Sequence, residues 1–142
     1  MYTHGFLQNQ IDLDYLLEKQ CMLSIRDIIK TYGEKKFRSL EQEILLSSPE
    51  CGIISTGGGV VIDKNNRNFL KKSFVIYLDP PWSEIYQRIK SSNRPLVTKH
   101  SYEELYQIFE ERKALYAEVA NISIDDIEEE VIISKIIKII NR

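Results

Sequence analysis

The sequence predicts an α/β fold in which a parallel sheet lies between two helical layers, giving three α/β/α layers. Short apolar runs typical of buried strands alternate with segments of helical periodicity, and this alternation favours βαβ units. One apolar run, Ile53-Ile54, leads into Gly57, Gly58 and Gly59, where the backbone can turn tightly and approach a ligand closely. Because ligands of open α/β sheets bind at the carboxyl ends of strands, this glycine turn (57–59) is a candidate binding wall with N–H groups for anions. A flexible turn between a strand and a helix is the alternative.

The composition indicates a single globular domain spanning residues 1–142. The chain is 43% hydrophobic and 28% charged, which is enough for an ordinary core. Its 19 basic and 21 acidic residues give a net charge of −2, and the basic residues are dispersed, so no nucleic-acid footprint is expected. The start lacks signal-peptide order, no apolar run approaches membrane-spanning length, and the two cysteines and two histidines lack zinc-ligand spacing. We therefore expect a cytoplasmic protein without a nucleic-acid or membrane partner.

Capping signals and apolar spacing place the elements of the N-terminal half. A strand candidate at 6–14 is followed by a helix start. Ser24 and Asp27 resemble a capping box for a helix that Gly33 ends. The next helix runs from Glu34 to about 46, with apolar residues at helical spacing, and a loop then leads into the strand before the glycine turn.

The C-terminal half continues the alternation. A short polar helix at 63–72 precedes the clearest strand, 74–78, and Asp79-Pro80 is a helix start signal for a helix that ends near 90. Ser101 and Glu104 form a capping box for a long helix that reaches at least 119. A short strand at 121–125 and an isoleucine-rich amphipathic helix at 128–141 complete the chain.

Two carboxylates stand near the end of the first strand. In extended backbone the side chains of Asp12 and Asp14 share one face, an arrangement that suits a hard cation and a proton acceptor. The alternative is that Asp14 only caps the helix beginning at Tyr15.

Three arginines are candidate anion ligands. Arg38 neighbours Glu41 on a helix surface, and the alternative for this pair is a solvated ion pair of little consequence. Arg94 precedes a proline, which favours extended backbone, in a polar segment (91–100) that could fold over a ligand or be an ordinary surface loop. Arg112 falls on the apolar stripe of its helix, so it is better interpreted as facing an anion than as a solvated charge.

The order and separation of these motifs resemble those of shikimate kinases, from about residue 6 to the end of the chain. The motifs are Asp12-Leu13-Asp14, Gly33 to Glu41, Thr56 to Gly59, Arg94-Pro95-Leu96 and Arg112 to Tyr116. The resemblance implies a nucleoside-monophosphate-kinase-like (P-loop kinase) fold, with residues 91–100 as its lid segment. It also implies transfer of the γ-phosphoryl of ATP to the 3-hydroxyl of shikimate, with Mg²⁺, in aromatic amino-acid biosynthesis, by a family of monomers.

The resemblance also assigns roles to individual residues. Two arginines give planar, bidentate recognition of a carboxylate, and metal and cations neutralise phosphate charge during phosphoryl transfer. The implied roles are magnesium-shell ligand for Asp12, hydroxyl ligand and proton acceptor for Asp14, carboxylate ligands for Arg38 and Arg112, substrate wall for Gly57, Gly58 and Gly59, lid arginine for Arg94, and nucleotide contact for Arg94 and Arg88.

One element of the family pattern is absent. Shikimate kinases carry a G-x-x-x-x-G-K-[ST] phosphate loop ahead of the Asp-x-Asp strand, and no segment of this sequence matches it. We therefore expect an N-terminally truncated P-loop kinase fold that is inactive as this chain alone and associates through exposed sheet edges. A non-catalytic shikimate-binding or regulatory remnant, and a related small-molecule kinase, are the alternatives.

Overall fold

The computed structural model describes residues 10–50 and 52–141 of the chain. It divides into two compact units, Met1–Phe69 and Leu70–Arg142. The expectation of a single domain over 1–142 stays a prediction.

The first unit contains a two-stranded parallel sheet whose strands are joined through three helices. Ile11 lies opposite Ile54 in the ladder. The elements are β1 (Gln10–Asp12), α1 (Leu13–Cys21), α2 (Ile25–Tyr32), α3 (Glu34–Leu46), β2 (Ile53–Ser55), a 3₁₀ turn (Gly58–Ile62) and α4 (Lys64–Leu70). The buried apolar side chains of this unit are Leu13, Leu17, Ile28, Phe37, Ile44, Leu45, Val60 and Val61.

The start of α1 differs from the sequence-based expectation. The strand ends at Asp12, whose carboxylate accepts a hydrogen bond from the Tyr15 N–H at 3.1 Å and so caps the helix. Asp14 therefore lies in the first turn of α1. Both expectations were wrong, that Asp14 is the cap and that the two carboxylates share a strand face, because the helix begins at the buried residue Leu13. Residues 6–9 of the predicted strand lie outside the described residues.

The next two helices match their predicted limits. Ser24 accepts a hydrogen bond from the Asp27 N–H at 3.1 Å, which confirms it as the cap of α2. Gly33 has a φ of 89°, a conformation that favours glycine and allows the chain to pass directly from α2 into α3.

The second unit repeats the pattern of two parallel strands joined through helices. Tyr77 lies opposite Ser123 in its ladder. The elements are β3 (Ile76–Leu78), α5 (Trp82–Ile89), α6 (Pro95–Thr98), α7 (Tyr102–Val119), β4 (Ile122–Ile124) and α8 (Glu129–Ile140). The buried apolar side chains of this unit are Leu105, Val119, Ile124 and Ile132. Both units therefore show the parallel βαβ connections expected of an α/β fold.

The helix starts of this unit include one confirmed and one wrong prediction. Ser101 and Glu104 bond to each other's backbone N–H groups, so the predicted capping box of α7 is present. Asp79, predicted as the start of α5, is not its cap, because α5 begins at Trp82. Its carboxylate instead accepts a hydrogen bond from the Tyr77 hydroxyl at 3.0 Å, and burial together with this bond raises the pKa of Tyr77.

Across the described ranges, no helix is long and apolar enough to cross a membrane.

Candidate functional site

The guanidinium of Arg38 lies directly on the backbone of Gly59. A Cβ atom at Gly59 would stand 2.6 Å from Arg38 Cζ, closer than real Cβ contacts allow. Positive φ angles among the described glycines occur at Gly33 and Gly52, not in the glycine turn. The glycine turn therefore needs no left-handed backbone, and glycine at position 59 allows the close approach of the Arg38 side chain, because a Cβ atom there would push the guanidinium aside.

Arg38 is held in place by a buried carboxylate. Glu41 is only 3% exposed, and its Oε1 accepts a hydrogen bond from Arg38 Nη1 at 2.9 Å. Glu34 Oε1 lies 3.8 Å from the other terminal nitrogen, and the Phe37 ring centroid lies 4.9 Å from Arg38 Cζ. A solvated ion pair is therefore the wrong interpretation of Arg38 and Glu41, because one partner is withdrawn from water.

Glu41 was not selected as a site residue from the sequence. It lies on the same helical stripe as the buried residues Phe37, Ile44 and Leu45. A charged residue on an apolar stripe was the signal used for Arg112, and the same signal identifies Glu41.

Asp14 completes a cluster of charged groups at the glycine turn. The position that a Cβ atom would take at Gly57 lies 3.5 Å from Asp14 Oδ1 and 3.6 Å from Glu41 Oε2. The first unit thus brings together Asp14, Arg38, Gly57 and Gly59, all predicted from the sequence, and adds Glu41. A cation, two carboxylates and the exposed backbone of Gly58 in one place can bind a small molecule that carries both an acid group and hydroxyl groups.

Arg112 is a buried basic residue of the second unit. It is 9% exposed on α7, which confirms that it lies on the buried stripe of that helix. Within residues 10–50 and 52–141, no acidic side chain pairs with it. One turn further along α7, Tyr116 stacks on Tyr77 with ring centroids 4.7 Å apart, which anchors this part of the helix to β3. A guanidinium on a largely buried side chain is suited to an anionic ligand.

The remaining predicted arginines lie at or beside the lid segment, 91–100. Arg94 is exposed immediately before α6, and its φ of −63° and ψ of 139° confirm the extended backbone expected before proline. Arg88 donates a hydrogen bond to the Ile127 carbonyl at 3.1 Å and lies 4.0 Å from Glu84. Contact of either arginine with a nucleotide stays a prediction.

Aromatic side chains join α5 to the start of α7, on either side of the lid segment. Trp82 donates a hydrogen bond from its indole nitrogen to the Tyr102 hydroxyl at 3.0 Å. Tyr86 meets Tyr102 edge to face at 4.7 Å between centroids. Tyr106 and Phe109 also contact Trp82. These contacts hold together the two helices between which the lid segment runs.

Replacing Tyr102 by alanine should loosen this aromatic cluster. The change removes two ring contacts and one hydrogen bond, so we expect a loss of about 1–2 kcal/mol of unfolding free energy. Trp82 is the single tryptophan of the chain, so its fluorescence emission should move to longer wavelength. Tyr32→Ala, at a tyrosine that is 61% exposed, is the matched control and should leave the emission unchanged. An unchanged spectrum in Tyr102→Ala would show that these rings do not shield Trp82.

Comparison with known proteins identifies the family. The family model "SKI: Shikimate kinase" matches residues 7–141. The chain belongs to the shikimate kinase family. It is 38% identical over 120 residues to the shikimate kinase of Streptococcus thermophilus, covering 79% of this chain and 74% of that protein. It is 36% identical over 121 residues to the bifunctional shikimate kinase/3-dehydroquinate synthase of Thermotoga maritima, covering 84% of this chain but only 24% of that protein.

Solved structures agree with this assignment. A shikimate kinase from Acinetobacter baumannii in complex with shikimate has a TM-score of 0.83 and 30% identity, covering 94% of this chain and 78% of that chain. The shikimate kinase family, the P-loop kinase fold and the kinase class of enzyme, all expected from the sequence, are therefore confirmed.

Shikimate kinases use ATP and Mg²⁺, and the fit of these groups to the residues present is unequal. Asp12 supplies a carboxylate at the carboxyl end of β1. This fits Mg²⁺, which proteins usually bind through one or two carboxylates together with phosphate oxygens of the substrate. In the described part of the chain no three acidic, histidine or cysteine residues are grouped to hold a metal by themselves. The given sequence contains no G-x-x-x-x-G-K-[ST] segment to supply the phosphate cradle and its lysine, so the residues present supply only part of the donor set for the ATP phosphates.

Proposed function

We propose that this chain carries the shikimate-binding part of a shikimate kinase site. The observation that supports the proposal most strongly is the Arg38 guanidinium on Gly59, held by a buried Glu41 and beside Asp14. The family's reaction is phosphoryl transfer from ATP to the 3-hydroxyl of shikimate. For the 142 residues alone we propose binding without turnover, because the phosphate loop sequence is absent.

Each proposed role follows from the chemistry of the side chain. Arg38 supplies planar N–H donors that match a carboxylate, and the buried Glu41 fixes its orientation before a ligand binds. Arg112 is proposed as a further carboxylate ligand, as the family resemblance implies, since most of its side chain is already withdrawn from water. Asp14 accepts hydrogen bonds from the ring hydroxyls and is the proposed acceptor of the proton of the attacking hydroxyl. The backbone of the glycine turn (57–59) forms the wall beside them.

The lid and the nucleotide side complete the proposal. Arg94 is proposed to close on the phosphates as part of the lid segment, with Arg88 as a further nucleotide contact and Asp12 in the magnesium shell. We further propose a cytoplasmic protein whose partners are shikimate and ATP, with no nucleic-acid or membrane partner and with self-association through strand edges. Cys21 is a free thiol, in keeping with a reducing compartment.

Titration calorimetry with shikimate tests the binding proposal. We expect a saturable signal for the wild-type chain and at least about a tenfold weaker affinity in Arg38→Ala, since a charge-assisted hydrogen bond contributes about 1.5–3 kcal/mol. Arg112→Ala should show a loss of similar size. Arg26→Ala, at an exposed arginine of α2 in the same unit as Arg38, is the matched control and should bind like the wild type.

The methyl ester of shikimate is the matched control ligand, because it keeps the ring hydroxyls but carries no carboxylate charge. The ester should bind at least about tenfold more weakly to the wild type and should lose little further affinity in Arg38→Ala. A wild-type chain that binds shikimate and its ester equally well would show that the two arginines do not recognise the carboxylate.

A further inference from the structure

We propose that Gln42, Asn66 and Arg67 form a brace that holds the 3₁₀ turn Gly58–Ile62 against the helix carrying Arg38, and that Asn66 is a positioning residue for the shikimate site. The part of the inference that concerns shikimate rests on the proposed function. The part that concerns the turn rests on the contacts alone.

Asn66 is the centre of the brace. It is 2% exposed, and its Nδ2 donates a hydrogen bond to the Val60 carbonyl at 3.0 Å. Its Oδ1 accepts a hydrogen bond from Gln42 Nε2, also at 3.0 Å. The buried amide therefore links the 3₁₀ turn to α3, the helix that carries both Gln42 and Arg38.

Arg67 binds the end of the same turn. Its Nη1 donates to the Val61 and Ile62 carbonyls, each at 2.8 Å. Three consecutive carbonyls at the C-terminal end of the turn thus receive side-chain donors from α4. The end of a short helix leaves its last carbonyls without intrahelical partners, so these bonds satisfy groups that would otherwise need water.

Gln42 connects the brace to the cation of the site. It follows Arg38 by four residues, and its Nε2 reaches both Asn66 Oδ1 and Asp63 Oδ1, the latter at 2.9 Å. Asp63 in turn accepts the Asn65 N–H at 2.7 Å at the start of α4. The helix α3 therefore carries the guanidinium that lies on Gly59 and also the amide that holds Asn66, which in turn binds the Val60 carbonyl.

The fit between Arg38 and Gly59 explains why a brace is needed. The guanidinium of Arg38 and the backbone of Gly59 are so close that no space remains between them for a methyl group. A small shift of the turn would open this contact. Moving a binding or catalytic group by about 1 Å is enough to lower the activity of a site substantially. An apolar side chain at position 66 would fill the same space, but it would leave the Val60 carbonyl without its donor.

The substitution Asn66→Asp tests the brace with almost no change in shape. It replaces the donor to Val60 by an oxygen, so the turn should loosen while the core of α3 stays intact. We expect amide hydrogen exchange at residues 58–62 to accelerate about tenfold or more, with little change at Ile44 and Leu45, and the shikimate dissociation constant to rise about tenfold. Asn68→Asp, the same change at an exposed position of α4, should alter neither measurement.

Each outcome decides one part of the proposal. Unchanged exchange at residues 58–62 in Asn66→Asp overturns the brace. Accelerated exchange with wild-type shikimate affinity overturns the positioning role and leaves a purely structural one. A wild-type chain that binds no shikimate overturns the proposed function, whereas the exchange measurement still decides the brace. Where Asn66→Asp does not fold, Gln42→Ala removes one bond of the brace at a half-buried position and is judged by the same two measurements.

Discussion

Purified as the 142-residue chain, the protein should show no measurable ATP-dependent phosphorylation of shikimate. Phosphoryl transfer depends almost entirely on positioning and on neutralising phosphate charge, and the loop that does both in P-loop kinases has no counterpart in this sequence. We expect turnover at least about a thousandfold below that of a relative containing the loop. The measurement is ADP release coupled to a spectrophotometric assay, with shikimate, ATP and Mg²⁺ present.

Restoring the loop provides the test of this explanation. A fusion that places the strand, glycine-rich loop and following helix of the Streptococcus thermophilus relative ahead of this chain should gain shikimate-dependent turnover. The same fusion with the loop lysine changed to alanine is the matched control and should remain inactive. Turnover at an ordinary kinase rate by the unfused chain would show that its phosphate positioning comes from other residues.

Local signals explain which helix limits could be predicted from the sequence. A hydroxyl cap and a glycine stop act within one turn of backbone, and so Ser24, Gly33 and Ser101 stand where expected. The starts of α1 and α5 could not be chosen in this way, because the outcome depends on where the preceding strand leaves its ladder. Short strands of three residues offer little pattern from which to find that point.

The candidate site shows the same division between local and long-range information. Spacing along α3 predicts that Arg38 and Glu41 are neighbours, but the burial of Glu41 depends on what packs against that face of the helix. The contact of Arg38 with Gly59 joins positions separated by most of α3 and all of β2, so only the order of motifs shared with shikimate kinases pointed to it. The brace formed by Gln42, Asn66 and Arg67 has no such motif and became visible only in the structure.

Replacing Arg38 by methionine should destabilise the chain by about 2–3 kcal/mol, because it withdraws the cation from a buried carboxylate. Glu41 is 3% exposed and Arg38 is 31% exposed at the side chain, so the loss should lie below that of a fully buried pair. Methionine keeps the packing of the arginine stem, which confines the change to charge and hydrogen bonding. Urea unfolding monitored by circular dichroism gives the free-energy difference, and Arg26→Met on α2 serves as the exposed control.

The double substitution Arg38→Met with Glu41→Gln distinguishes the interaction between the two side chains from their separate contributions to stability. A neutral amide at position 41 needs no counter-charge, so the double variant should recover more than half of the stability that Arg38→Met loses. Glu41→Gln alone should leave Arg38 charged but less firmly oriented, so its shikimate affinity should fall less than that of Arg38→Ala. The single and double variants could instead unfold at the same urea concentration with the same slope. That result would show that the carboxylate of Glu41 does not depend on Arg38 for its burial. Phe37 and Glu34 would then be the contacts that hold the arginine on Gly59.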